Sequence, residues 1–171
     1  MTVRTGWTGR YLEDFEVGDI YRSRLGRTIS EADNTQFTLL TNNTNQIHFN
    51  AHYAARTEFG QLVVNSALTF SVVAGLAVTD VSENGFALGW DYVELPNPVF
   101  VGDTIYAETE VLEKRESRSR PGQGIVKVRT SGINQDGRTV LRFARTVMVW
   151  KRDSAPSLNL FPEQAAAVGR Q

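Results

Sequence analysis

Residues 65–80 read NSALTFSVVAGLAVTD, and the other segments of the chain are best understood around this one. Apolar residues fall on every face of a helix drawn through it, which is typical of a helix buried on all sides. Asn65 or Ser66 can cap the first turn, because short polar side chains accept hydrogen bonds from free backbone N–H groups. Gly75 lowers helix propensity and indicates close packing against a neighbouring backbone. The stretch therefore predicts a buried central helix.

The chain before this helix alternates short elements with polar loops. Ser30 followed three residues later by Asp33 is a helix-start pattern, and the short amides Asn42 and Asn43 favour a turn at the helix end. The segments predicted here are an irregular arm over residues 1–17, a strand over 19–28, a helix over 31–40 and a helix over 51–59 that ends at Gly60.

The chain after the central helix has the patterns of β-strands. Residues 104–112 alternate, with Ile105, Ala107, Thr109 and Val111 on one face. Asp136-Gly137 predicts a tight hairpin. The predicted strands cover residues 86–95, 104–112, 125–133 and 140–151.

These elements predict an α+β fold in which an antiparallel sheet wraps around the buried central helix. The chain of 171 residues is expected to form a single domain over 1–171, with a core at about 10–152 and a peripheral tail at 153–171. One sheet leaves the far side of the helix poorly covered. We therefore expect a homodimer or a larger homo-oligomer.

Composition indicates which classes of binding partner and which cellular location to expect. Apolar residues make up 41%, charged residues 22%, and the net charge is −1, so we expect no nucleic-acid or membrane partner. Cysteine is absent, which excludes disulfide and thiolate chemistry. We expect no signal peptide, because the N-terminal residues contain no apolar run of that kind. We also expect no membrane span, because the apolar residues 67–78 are too few to cross a bilayer. A soluble, cytoplasmic protein is the expectation.

Both histidines lie in an amide-rich stretch, TNNTNQIHFNAH, over residues 41–52. His48 falls in a loop beyond a predicted helix end, where it could be a structural hydrogen bonder or an acid/base catalyst. His48 and His52 have the i, i+4 spacing of a metal pair. Phe49 stands where the zinc-protease pattern requires Glu, and no third ligand is apparent, so we expect no metal site and place His52 at the surface or an interface.

Several motifs together resemble those of proteins with the hotdog fold, and more narrowly those of the MaoC-like, R-specific enoyl-CoA hydratase family. The family pattern G-D-x-N-P-I-H-x-D corresponds to residues 42–50, its F-G to Phe59-Gly60, and its I-V-H-G to residues 63–66. Residues 98–104, PVFVGDT, resemble the family's strand entry. Residues 41–50, 64–66 and 114–121 are most similar to the branch that hydrates mesaconyl-CoA and itaconyl-CoA. The resemblance covers residues 10–152.

The resemblance implies a hydro-lyase that reversibly adds water to a 2-enoyl-CoA, with branched C5 dicarboxylic esters as expected substrates. In such a family His48 is the acid/base and the N–H at the start of the central helix, at Ser66, stabilises the thioester oxygen. Asn43 stands at the position of the family's catalytic Asp, and an amide can orient water but cannot be a general base. Asn45 and Asn65 are expected to position substrate. No cofactor is implied beyond coenzyme A as part of the substrate.

Several arginine and lysine residues are candidates for binding the anionic parts of an acyl-CoA. Arg56 and Arg129 are candidates for a substrate carboxylate, and the run Lys114, Arg115, Arg118 and Arg120 either anchors the CoA phosphates or is a solvated strand end. Asp33 or Asp91 could supply the missing carboxylate. A hotdog thioesterase and a non-catalytic acyl-CoA-binding subunit are the alternative functions.

Overall fold

A computed structural model of the chain describes residues 4, 6–157 and 160–162, and shows one antiparallel sheet with helices against one face. The strands follow the order β1-β4-β5-β6-β3, and β2 also pairs with β4. Their bounds are β1 Ile20–Arg22, β2 Arg27–Thr28, β3 Gly85–Glu94, β4 Thr104–Glu116, β5 Gln123–Asn134 and β6 Thr139–Trp150. The helices are α1 Glu31–Leu40, α2 Ala51–Ala54, α3 Ser66–Leu76 and α4 Val78–Val81.

The long strands form because apolar residues alternate along them. In β4 the predicted inward set at 105, 107, 109 and 111 is buried, which confirms the alternation read from the sequence. The hairpin between β5 and β6 closes at Asp136-Gly137, where Gly137 adopts a φ of +76° that favours glycine. The sheet therefore has one continuous apolar face for the helices to cover.

Helix α3 crosses that apolar face, as predicted, but the single chain covers only one side of it. Leu68, Thr69 and Val73 are buried, whereas Ser66, Ala67, Ser71 and Gly75 are exposed. Val73 packs against Gly132 of β5, where an added Cβ would lie 2.5 Å from the valine side chain. The prediction of burial on every side is thus wrong for one chain, because a single sheet can enclose only half of a helix.

Other segments differ from the predictions in length. The strand expected over 19–28 is two short strands, because the chain leaves β4 between residues 22 and 27. The helix expected over 51–59 ends at Ala54. The N-terminal segment is more than an arm, since Phe15 is fully buried in a core cluster with strands β4 to β6. The tail expected to be peripheral has a 3₁₀ turn over Arg152–Ser154, and its residues 158–159 and 163–171 lie outside the described residues.

No helix in the described part of the chain combines the length and apolar character that crossing a membrane requires.

Candidate active site

His48 is held in a defined orientation beneath the start of α3. It ends a 3₁₀ turn over Gln46–His48 and is 6% exposed. Its Nδ1 lies 2.8 Å from the carbonyl oxygen of Val63. A carbonyl only accepts hydrogen bonds, so this contact assigns the hydrogen to Nδ1 in the neutral ring. The lone pair is then on Nε2, the atom that is free to take a proton from water.

Asn34 joins the histidine loop to the start of α3, and it was missed by the sequence reasoning. The fully buried side chain donates from Nδ2 to the carbonyl oxygens of His48 at 2.7 Å and Val63 at 3.2 Å. Its Oδ1 accepts from the Asn65 N–H at 2.8 Å. One amide therefore fixes both the base and the helix start. The sequence signal that could have identified Asn34 is its position one helical turn before Thr38, which makes it a polar residue on the inward face of α1.

The end of α1 positions Asn43, and the side chain of Asn43 forms a local hydrogen bond. Asn42 adopts a φ of +52°, and the N–H groups of Asn42 and Asn43 donate to the carbonyls of Leu39 and Thr38. This is a Schellman end, in which an Asn tolerates the left-handed conformation. The Oδ1 of Asn43 accepts from the Asn45 N–H at 2.9 Å. The amide NH₂ is thus the part of Asn43 that can orient a water molecule.

The other amides named from the sequence cap helical segments. Asn45 accepts from the Ile47 N–H at 3.3 Å at the start of the histidine turn. Asn65 accepts from the Ala67 N–H at 3.0 Å and donates from Nδ2 to Thr38 Oγ1 at 3.2 Å. These bonds give both residues a positioning role within the chain.

The start of α3 presents a free donor to a small cavity. The Ser66 N–H finds no hydrogen-bond partner among the described residues, as expected at the first position of a helix. A cavity of about 230 Å³ lies against this turn and is lined by Phe59, Val63, Val64, Ser66, Thr69, Leu95, Asn97, Pro98 and Val99. The helix dipole favours negative charge here. Val63, which borders the cavity, also holds His48 through its carbonyl, whereas His48 itself does not line the cavity.

The arginines named from the sequence lie apart from this space. Arg56 is exposed and donates to the carbonyl of His52 at 2.7 Å. Arg118 and Arg120 follow the C-terminal end of β4. The 13 residues of β4 extend over roughly 40 Å, and α3 adjoins the opposite end of the strand. Arg129 is paired with Glu110 on the outer face of the sheet. The single chain brings none of these four described arginines to His48.

The candidate carboxylates are also engaged elsewhere. Asp33 accepts hydrogen bonds from the hydroxyl and N–H of Ser30, and together with the charge of Arg27 these bonds lower its pKa. Asp91 is paired with Lys127 at 2.8 Å. No carboxylate in the described part of the chain hydrogen-bonds to His48.

His52 is exposed, and the described residues contain no cluster of three or more metal-binding side chains.

Comparisons with known proteins agree with this fold. The family model of the MaoC like domain matches residues 14–133. Mesaconyl-CoA hydratase from Cereibacter sphaeroides is 34% identical over 148 residues, which are 86% of this chain and 43% of that relative. The chain thus spans less than half of that relative's length.

Solved structures give the same architecture. The MaoC-like dehydratase of Rhodospirillum rubrum superposes with a TM-score of 0.76 at 29% identity, over 84% of this chain and 99% of that one. A conserved Mycobacterium tuberculosis protein with a double hotdog fold superposes with a TM-score of 0.77 at 22% identity, over 91% of this chain and 47% of that one. The second similarity shows the fold alone. The sheet around α3 is a hotdog fold, and the chain belongs to the family of the MaoC like domain.

Proposed function

We propose that the chain is an acyl-CoA hydratase that reversibly adds water across the double bond of a 2-enoyl-CoA. The observation that supports this most is the hydrogen-bond network through Val63 and Asn34 that joins a buried histidine, whose Nε2 is free to accept a proton, to the start of α3, where the free Ser66 N–H borders a cavity. A base for water and a donor for the thioester oxygen are the two groups that this reaction requires.

The reaction follows from these groups. His48 Nε2 takes a proton from water as the water oxygen bonds to Cβ, and the π electrons move toward the thioester. The Ser66 N–H stabilises the enolate oxygen that forms, with help from the α3 dipole. The imidazolium then delivers its proton to Cα, so that water has been added as OH at Cβ and H at Cα. The NH₂ of Asn43 orients the water, because an amide cannot take the proton.

The proposed substrate is a branched C5 dicarboxylic ester, of which mesaconyl-CoA is the first to test. The name of the Cereibacter relative supports this class. Itaconyl-CoA is the second member to test. A cytoplasmic location remains a prediction.

We further propose that the working form is a homodimer. Strand β3 is at the edge of the sheet and carries large exposed apolar side chains at Phe86, Leu88, Trp90, Tyr92 and Val93. An apolar edge strand favours pairing with another strand. A second copy would cover this edge and the exposed side of α3.

An assay with mesaconyl-CoA, itaconyl-CoA and crotonyl-CoA tests the function. Hydration removes the enoyl absorbance without releasing thiol, and we expect this for at least mesaconyl-CoA. His48→Ala should lower the rate at least about 100-fold, because general acid–base catalysis contributes that much. His52→Ala is the matched control and should retain the rate. Release of free thiol would instead indicate a thioesterase, and binding without turnover an acyl-CoA-binding subunit.

A further inference from the structure

A second cavity lies beside the C-terminal half of α3, and its volume is about 840 Å³, against about 230 Å³ for the cavity beside Ser66. This volume is within the range of sites that hold small-molecule ligands. The floor is the flank of α3 at Val72, Gly75 and Leu76. The walls come from the N-terminal segment, from α4 and from the segment that joins β1 to β2. Strands β1 and β2 lie at the sheet edge opposite β3, so two copies paired at β3 would meet away from this cavity.

The N-terminal wall is fixed to α4 and presents an aromatic ring. Trp7 donates from Nε1 to the carbonyl oxygen of Thr79 at 3.2 Å. Arg10 pairs with Asp80 at 2.8 Å, and its guanidinium lies 5.1 Å from the centre of the Trp7 ring. The guanidinium thus covers one face of the indole, yet Trp7 is 58% exposed. The other face of the ring is therefore available for stacking against a flat ligand.

The wall between β1 and β2 supplies positive charge. Arg22, Arg24 and Arg27 all line the cavity from this segment, which contains no carboxylate. Arg24 is exposed and forms no ion pair within the described part of the chain. Arg22 pairs with Glu108 and Arg27 with Asp33, and the two arginine side chains are 81% and 54% exposed. Ion pairs this exposed contribute little to stability, so a phosphate can take their place.

The carboxylates that line the cavity lie in or next to α4, on the side of Trp7. Asp80 is paired with Arg10, and Glu83 is exposed. The cavity is therefore positive along the β1–β2 segment and offers a hydrogen-bond acceptor beside the aromatic ring. A ligand that carries phosphate at one end and an amino-substituted flat base at the other matches this distribution of charge.

Gly75 keeps the floor of the cavity low. Glycine inside a helix is less favourable than alanine, and a Cβ added at Gly75 would meet no atom within 4 Å. The close packing against a neighbouring backbone that the sequence predicts for Gly75 is therefore wrong for the single chain. The space above this residue is open to a ligand.

We propose that this cavity binds an adenine nucleotide, with the base against Trp7 and the phosphates on Arg22, Arg24 and Arg27. Arginine binds phosphate through two parallel hydrogen bonds, and a base that stacks on an aromatic side chain adds affinity. The amino group of adenine donates to the Glu83 carboxylate. Free ADP and the nucleotide end of a coenzyme A ester share this chemistry. The site does not depend on the proposed hydratase function.

Calorimetric titration with ADP and with adenosine 3′,5′-bisphosphate tests the site. We expect saturable binding of one nucleotide per chain to the wild type. Arg24→Gln and Trp7→Ala should each weaken it at least about tenfold, the loss typical of removing one charged hydrogen bond or one stacking ring. Arg118→Gln removes an exposed arginine that does not line the cavity, so its affinity should match the wild type.

A variant of the floor tests the same site without touching a charge. Gly75→Leu should abolish nucleotide binding, because its side chain occupies the space of the ligand, and its Tm should equal or exceed that of the unliganded wild type. Gly75→Ala adds only a methyl group and should keep the affinity within about threefold. Wild-type affinity in Gly75→Leu would overturn the proposal.

Steady-state kinetics of Arg24→Gln distinguishes the two sources of the nucleotide. A KM raised alike for mesaconyl-CoA and crotonyl-CoA, with kcat unchanged, assigns the site to the nucleotide of coenzyme A. An unchanged KM, with ADP affinity lost, assigns it to a free nucleotide.

The ADP titration requires no turnover, so it tests the site even if the wild type hydrates neither ester. Absence of saturable ADP binding, or equal affinities in the wild type, Arg24→Gln and Trp7→Ala, rejects the nucleotide site. A changed oligomeric state of Arg24→Gln in light scattering would make the cavity an interface and would also overturn the proposal.

Discussion

At the scale of single residues, the site depends on amides more than on charges. Asn34, Asn43, Asn45 and Asn65 each form a hydrogen bond that shapes the loop around His48 or the start of α3. An amide both donates and accepts, so it can join backbone groups of either kind without burying a charge. The amide-rich composition of this stretch is therefore a positioning device.

The contribution of Asn34 can be tested directly. Asn34→Ala removes three hydrogen bonds and leaves the His48 carbonyl and the Asn65 N–H buried and unpaired, whereas the Val63 carbonyl keeps its bond to His48 Nδ1. We expect the free energy of unfolding to fall by about 3 kcal/mol, since each buried group left unpaired costs about 1–3 kcal/mol. Chemical denaturation measures this loss. Asn97→Ala removes one exposed bond and is the control. A wild-type stability for Asn34→Ala would show that this amide is dispensable.

At the scale of elements, α1 supports the site from outside it. Its N-terminus is a complete capping box, in which Ser30 and Asp33 bond each other reciprocally. Its C-terminus is the Schellman end that presents Asn43, and its inward face carries Asn34 and Thr38. A helix whose two ends are fixed holds these side chains at constant separation from α3.

The capping box should make part of the stability depend on pH. The pKa of Asp33 is lowered in the folded chain, so its contribution is present above the unfolded pKa and is lost as the pH falls through the folded value. Asp33→Ala should cost about 1 kcal/mol at pH 7, as loss of a helix cap does. The difference from wild type should shrink below about pH 4.

Urea unfolding at pH 7, 5 and 3.5 measures this effect. Glu31→Ala changes a neighbouring exposed carboxylate in the same first turn and should show a smaller difference. A cost for Asp33→Ala that stays constant from pH 7 to pH 3.5 would contradict the role of the ionised carboxylate.

At the scale of the whole molecule, the single chain is open on one side. The edge strand β3 exposes apolar surface, and the outer half of α3, which includes Ser66, is also exposed. A second copy would close this side, so assembly and substrate binding are expected to be linked.

Leu88→Lys tests that expectation. Leu88 lies at an irregularity of β3 between Ala87 and Gly89, is 49% exposed, and can be changed with little effect on the core. A lysine on the edge strand should oppose pairing of two copies, because like charges meet across the interface. Light scattering after size exclusion should show a monomer, and hydratase activity should fall with it. Val17→Lys, at another exposed position away from β3, is the control. A dimeric, active Leu88→Lys would place the interface elsewhere.

Periodicity and helix caps in the sequence are sufficient to predict several elements of this fold. Alternation along residues 104–112 and the Ser30 cap of α1 depend on near neighbours in the chain, and both are confirmed. The motif around His48 and Ser66 also indicates the family. These features are local, so they can be read from short windows of sequence.

Which side chains come into contact depends on the folding of distant segments against each other. Asn34 is fourteen residues from His48 and thirty-one from Asn65, and its amide joins them because α1 folds across the start of α3. Arg56 and Arg129 are the carboxylate candidates named from the sequence, whereas Arg145, which lies buried in β6, is not among them. Burial and pairing distinguish them, since Arg129 has Glu110 and Arg145 has no described partner. The energetic cost of an unpaired charge depends on surroundings that distant segments supply, and those exist only in the folded chain.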